Sequence, residues 1–448
     1  MIEMPTTLER AKELKQALQQ FVYDAEGDLA VSLETYSAEQ LSRLAKSQYQ
    51  DTNQTTLLID RFLSEGKVGD RLALDLFIES QPELAEVDRN LIIGWQRGFV
   101  GLFAVTEILV DGFELMNWLT AKHYIVKPNG LQPPEKLARL KVGEIILTQI
   151  LPVTDAVWMF SDALTLMGKL GKPKLAIAIR NFKQSYKEYL YRDAPELLEE
   201  AWHSVEQYHQ EFIDFFGSDE VTLPGYEANQ KLKELQKISI ERRFKAAGMD
   251  GTKSLTELVE ESGIDREELI VAMGAEVEPL FDRGKTQTKK KPVMAAPQID
   301  LPEQLRKAEQ LTMLTHPRWG QMFLVTYHQL KTLLETDDDR SVEDIAKLLR
   351  QYLEEPEINA FIWHHLARQY PSQMTGVLQK AFDRPNFEIT QDLDALLQEF
   401  GKPLTPDLPE IASVPLHLHN LFQEAMLEVS KSQPKPKSKQ KVGSGFQR

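Results

Sequence analysis

The sequence predicts a mainly α fold of the α+β kind, with helical lobes and a small antiparallel, barrel-like β module near residues 101–167. Three observations predict it. Apolar residues recur at three- and four-residue steps along most of the 448-residue chain. Between Gly101 and Met167 that period gives way to short runs rich in Val, Ile, Phe and Trp, cut by turn residues. The composition, 42% hydrophobic and 27% charged, is that of a chain able to bury a sizeable core.

The helical lead-in spans residues 1–100. Leu8, Ala11, Leu14, Leu18 and Phe21 fall on one stripe. Ser37 and Gln40 have capping-box spacing ahead of Leu41, Leu44 and Ala45. A helix from Gln54 to Ser64 should stop near Gly66, and Arg71–Glu79 and Leu84–Gln96 read as two more. The β module (101–168) holds about five short strands: Leu102–Val110, Phe113–Leu119, His123–Val126, Glu144–Leu151 and Ala156–Ser161. Asp111-Gly112 is a two-residue hairpin signal between the first two.

Helix returns over 173–283, with Leu175–Tyr191, Pro195–Phe216 and Tyr226–Ala246. Asp193 is a natural N-cap for the second of these. Ser254–Met273 has a helix-turn-helix outline about Gly263. Its second helix sets Asp265, Glu267 and Glu268 against Arg266, the wrong sign for a DNA phosphate contact. A basic flexible linker (284–299) follows. Residues 300–430 then read as helical throughout, broken at Pro317, Asp337-Asp338-Asp339, Pro356, Pro371 and Pro385. Residues 431–448 read as a disordered basic tail.

Charge is unevenly spread. The formal net charge is −16. The tail carries Lys431, Lys435, Lys437, Lys439, Lys441 and Arg448 without an acid, and Gly284–Gln298 carries four lysines without an acid. The remainder holds 42 basic against 68 acidic residues, a net −26. Such a body repels phosphate backbones and anionic lipid, so nucleic acid is expected only through the linker and tail. No run is long and apolar enough for a membrane span. Met1–Glu13 holds no apolar run, so no secretory signal is expected, and the expected location is cytoplasmic. The absence of cysteine excludes disulfides, thiolate zinc sites and a cysteine nucleophile.

One stretch resembles a known module. It runs through Leu58-Ile59-Asp60-Arg61-Phe62-Leu63, Leu72–Phe77 and Trp95. It continues through Gly101-Leu102-Phe103-Ala104-Val105, Gly112, Leu115, Leu119-Thr120 and Tyr124-Ile125-Val126, and ends with Val142-Gly143-Glu144, Leu151-Pro152-Val153 and Phe160. This spacing resembles the helical-plus-small-β module of bacterial proteins that often carry a SecA-type C-terminal (SEC-C) zinc motif. It covers roughly a quarter of the chain. Where that module has an acid before a leucine–threonine–glycine turn, this chain has Asn117-Trp118-Leu119-Thr120-Ala121, and it lacks the cysteines of the zinc motif. The resemblance implies a scaffold and no particular reaction.

No phosphate-binding glycine loop or nucleophile elbow occurs, and no carboxylate pair stands out in so acidic a chain. His364 and His365 are adjacent, and His203 and His209 are six apart, so neither pair shares a helix face. His417 and His419 would share a face if extended. No cofactor or metal is expected. The stripe Phe182, Tyr186, Tyr189, Trp202, Tyr208, Phe212 reads as core, whereas Phe215 and Phe216 beside Gly217 read as an exposed partner patch. The leading expectation is a non-enzymatic interaction or assembly protein, with Lys435, Lys437, Lys439 and Lys441 as auxiliary electrostatic contacts. An RNA- or ribosome-associated factor is the alternative, and an enzyme with a site built from scattered carboxylates the third.

Overall fold

The structure is a computed structural model that describes residues 4–44, 53–246, 294–295, 301–336 and 341–432. It is mainly α, with a small closed barrel. Two compact units divide the chain: residues up to Pro195 with the segment from His417, and Glu196–Leu416. Among the described residues no helix is long and apolar enough to cross a membrane.

The first unit opens with helices α1 (Met4–Tyr23), α2 (Asp28–Leu44), α3 (Gln54–Glu65), α4 (Ala73–Ser80) and α5 (Glu86–Gly94); the two-residue strands β1 (Lys67–Val68) and β2 (Arg71–Leu72) precede α4. The α1 stripe is buried as its spacing requires, with Ala11, Leu14 and Leu18 in one core with Phe62, Phe77 and Trp95. Helix α2 is continuous through Ser37, so the capping box is not used. Mid-helix N–H groups already have partners, and the preceding residues keep helical periodicity.

The barrel comprises β3 (Phe99–Leu109), β4 (Gly112–Asn117), β5 (His123–Lys127), β6 (Ile145–Pro152) and β7 (Val157–Gly168), with the short α6 (Pro134–Leu137) between β5 and β6. It closes in the order β3-β4-β5-β7-β6. All pairs are antiparallel except β5 with β7, which corrects the expectation of a purely antiparallel module. This order, closed by one parallel pair, is the strand arrangement of the five-stranded Greek-key barrel known as the OB fold. The strand-pair register alternates residues between two faces. Phe99 stands opposite Ile150, and Ile150 opposite Phe160, so these three share the interior. On the other face, Leu151 and Met159 join the helical core. The β3–β4 loop is Val110-Asp111, one residue earlier than the Asp-Gly signal suggested. Gly112 is needed for closeness, since a Cβ there would lie 2.6 Å from the Val126 carbonyl oxygen.

After the barrel, α7 (Lys172–Ser185) stops short of Tyr191 and a 3-10 turn, Lys187–Tyr189, follows. The last helix, α16 (Leu416–Ser432), belongs to this unit from His417 onward, and Lys172 pairs with Glu424 at 2.7 Å.

The second unit contains α8 (Pro195–Phe216), β8 (Glu220–Leu223), α9 (Gly225–Ala246), β9 (Met294–Ala295), α10 (Glu303–Arg306), β10 (Leu311–His316), β11 (Gly320–Leu324), α11 (Tyr327–Glu335), α12 (Ser341–Glu354), α13 (Ala360–Gln369), α14 (Pro371–Ala381), α15 (Ile389–Glu399) and β12 (Val414–Pro415). The expectation that residues 300–430 are helical throughout is corrected here. Pro317 marks a hairpin turn, and β11-β10-β8 form a three-stranded sheet. The helices α11–α15 bury one apolar core around Tyr327, Trp363 and Leu397. The expected helix-turn-helix (254–273), Asp337-Asp338-Asp339, nearly all of the linker and the basic tail lie outside the described residues.

Candidate functional site

In OB folds that bind oligonucleotides or oligosaccharides, the ligand lies on the face of the second and third strands and neighbouring loops. Here that face is built by β4 and β5, with burial alternating along β4 and less regularly along β5. Phe113, Leu115 and Val126 are buried, whereas Glu114, Met116, Ile125 and Lys127 are half-buried and His123 is exposed. Lys127 is bonded to Asp111 in the adjoining loop, and His123 lies 3.5 Å from Glu114. Within β4 and β5 this face carries no Phe, Tyr or Trp, and Lys127 and His123 each sit beside a carboxylate. Single strands of nucleic acid are commonly held by stacked rings in a basic groove, features that β4 and β5 themselves do not supply.

At one end the barrel exposes three aliphatic residues, interleaved with exposed Glu107, Asp111 and Lys141. At the β3–β4 hairpin Ile108 is 51% exposed and Val110 fully so. Val142 is also 51% exposed, in a turn whose Gly143 N–H donates to the Val105 carbonyl three residues back along the same strand. Ile108, Val110 and Val142 thus belong to one end of the barrel.

At the β4–β5 turn, Asp193 acts as a clasp. Its Oδ2 accepts from Asn117 Nδ2 (3.0 Å), Thr120 Oγ1 (2.8 Å) and the Tyr124 hydroxyl (2.6 Å). Lys122 donates to its backbone carbonyl. The carboxylate expected to cap α8 is therefore used on the barrel, where three donors outcompete one helix end. Tyr124 also meets Phe99, Phe103 and Trp158 edge-on, closing the barrel interior with rings.

Helices and barrel meet at a second polar centre. Three β7 residues, Ser161–Ala163, stand opposite the single Gln149, and this bulge frees two backbone N–H groups. Both donate to Asp60 Oδ2, the Asp162 and Ala163 amides each at 2.8 Å. Lys15 donates to Asp60 Oδ1 at 2.9 Å and lies 3.7 Å from Asp162, and the Lys15 and Asp60 side chains are each 1% exposed. Burial, with Asp60 beside it, raises the Asp162 pKa despite Lys15.

In the second unit the groups brought together are Glu220, Lys331, His365 and Tyr327. Glu220 accepts from Lys331 Nζ at 2.7 Å, and His365 Nε2 lies 3.0 Å from its other oxygen. Burial opposes ionisation of this carboxyl, but His365 and Lys331 outweigh it and push its pKa down to about 2. A carboxylate held so firmly ionised is poorly matched to proton transfer near neutrality, and its role here is to tie β8 to α11 and α13. An open groove of about 360 Å³ along α15 is lined by Arg384, Phe387, Asp392, Ala395 and Glu399. Its charges are also engaged: Arg384 binds both Glu399 oxygens and Asp392 accepts the Glu388 N–H. Among the described residues no group of three or more His, Asp or Glu is placed to hold a metal ion.

Phe215 and Phe216 do not stand clear of the surface. Both are half-buried against the core of Phe212, Leu232 and Met313, with Lys231 over the Phe215 ring. Lys435, Lys437, Lys439 and Lys441 lie outside the described residues. His417 and His419 start α16 rather than lying extended, and His417 bonds to the Trp118 carbonyl at 2.8 Å. His364 instead meets Asp394 at 3.0 Å. Glu220 and His365, 145 residues apart, carry no local signal of their pairing. The exposed Ile108 and Val110 were legible as apolar residues at a hairpin but read as ordinary strand. Comparison with known proteins finds no matching family model, curated protein or solved structure.

Proposed function

We propose that this chain is a non-enzymatic, cytoplasmic interaction or assembly protein whose barrel docks another protein through the β4–β5 face and the β3–β4 hairpin. The observation that carries this reading is the exposure of Ile108, Val110 and Val142 at one end of the barrel, while the β4–β5 face offers half-buried Met116 and Ile125. Exposed aliphatic side chains interleaved with charged ones fit a protein contact. The lysines of the tail serve as a long-range electrostatic aid, and the resemblance to the SEC-C-associated module, which implies a scaffold, fits the same reading. The RNA-associated alternative draws on the strand arrangement of the barrel and on those lysines, while the acidic pairing on the β4–β5 face speaks against it.

A photo-reactive residue placed at Val110, in cells of the native host, tests the reading. A discrete protein adduct is expected, unaffected by nuclease and absent when the probe stands at exposed Asp24 instead. Adducts to RNA, or loss of the adduct on nuclease treatment, would transfer the proposal to the RNA-associated reading.

A further inference from the structure

The β10–β11 turn reads His316-Pro317-Arg318-Trp319-Gly320. Its first residue does what Asn or Asp does in an Asx-turn, taking up backbone donors two and three residues on. His316 Nδ1 accepts the Arg318 N–H at 3.0 Å and the Trp319 N–H at 3.2 Å. Unlike an Asn oxygen, this acceptor is a base. An imidazole that gains a proton at Nδ1 becomes a donor on both nitrogens and can accept nothing.

We propose that this turn is an acid-opened latch within the second unit, in which protonation of His316 withdraws the acceptor that holds the Arg318 and Trp319 amides. The surroundings of the ring argue the same way. From α8 it faces His209, whose centroid is 6.5 Å away and which itself bonds to the Thr315 backbone near Glu206. From α13 it faces Phe361 at 4.4 Å and Arg368. Its own turn contributes Arg318, and the residue before β8 contributes Asp219, the one acid. A protonated ring would thus stand among two arginines and a second histidine against a single carboxylate. Burial, then His209 and Arg368, hold the His316 pKa below the ordinary histidine value.

The sign follows from that depression. The neutral ring stabilises the turn above about pH 6.5, and the contribution is lost as pH falls through the lower folded-state value. Opening would lift Arg318 from Trp202, over whose ring its guanidinium sits at 4.0 Å. Gly320, left-handed at φ 72° and packed under Pro409 and Ile411, makes the far end of the turn a fixed hinge.

Amide hydrogen exchange on the full chain tests this, read as protection factors at about pH 7.5 and about pH 5. Protection of the Arg318 and Trp319 amides is expected to fall about tenfold at the lower pH, while the Thr312–Leu324 ladder stays protected. His316→Asn, whose side-chain oxygen can cap the same donors without titrating, is expected to keep both amides protected at both pH values. Unchanged protection in the natural chain, an equal loss in the Asn variant, or simultaneous loss across the whole ladder would each overturn the latch.

Discussion

Lys15 and Asp60 are the clearest case of a residue pair doing structural work through charge. Solvent reaches neither, and Asp162 brings a second carboxyl group to the same joint of α1, α3 and β7. Removing the cation alone, as in Lys15→Met, strands two carboxylates and should cost about 3–5 kcal/mol in denaturant unfolding. Asp162→Asn should act in the opposite direction. Because the folded state raises this pKa, Asp162 favours folding when protonated, and that contribution is lost as pH rises through the folded value. The Asn variant should therefore match or exceed the natural chain in stability near pH 7. Its advantage should vanish at about pH 4, where the unfolded carboxyl also takes up its proton. The amide can replace both carboxylate contacts, accepting from Asn129 while Gln19 turns its own amide to accept in return.

At the scale of elements, the barrel depends on an empty place. Gly101 lies on the interior row with Phe103, opposite Thr148, and a Cβ there would stand 2.5 Å from the Phe103 ring. That ring is fully buried and meets Phe99 and Tyr124, so it has nowhere to withdraw. Gly101→Ala should then cost about 1–3 kcal/mol by overpacking, seen as a lower thermal midpoint, whereas Ala at Gly376, inside α14 with open space where its Cβ would stand, should cost nothing. The strands themselves were largely legible, because alternating runs between turn residues mark them. Less legible was β8: Glu220-Val221-Thr222-Leu223 is four residues between two long helices, and only its ladder with β10 makes it a strand. The β10–β11 hairpin was hidden by Pro317, which ends a helix and starts a turn with equal ease.

For the whole molecule, the consequence is a unit assembled from both ends of the chain. Leu418, Leu421 and Ala425 of α16 are buried, and the helix is tied by His417 to Trp118 and by Glu424 to Lys172. A fragment ending at Pro195 should accordingly melt lower than the same fragment with a synthetic 414–432 peptide added. The shift should grow with peptide concentration, as mass action requires. A peptide with Leu418 and Leu421 changed to Ser should give no shift. If the two peptides behaved alike, the assignment of α16 to this unit would be wrong.

By itself the sequence determined the fold class, the place of the barrel, the helix registers of the lead-in and the separation of basic tail from acidic body. Each of these is set by composition and by local period, which neighbours along the chain share. Only the tertiary structure decided that Asp193 clasps the barrel, that Asp60 fills the β7 bulge, that Glu220 finds His365 and Lys331, and that α16 returns to the first unit. Those outcomes rest on polar groups that must find partners once buried, and the partners lie tens to hundreds of residues away, where no local pattern records them.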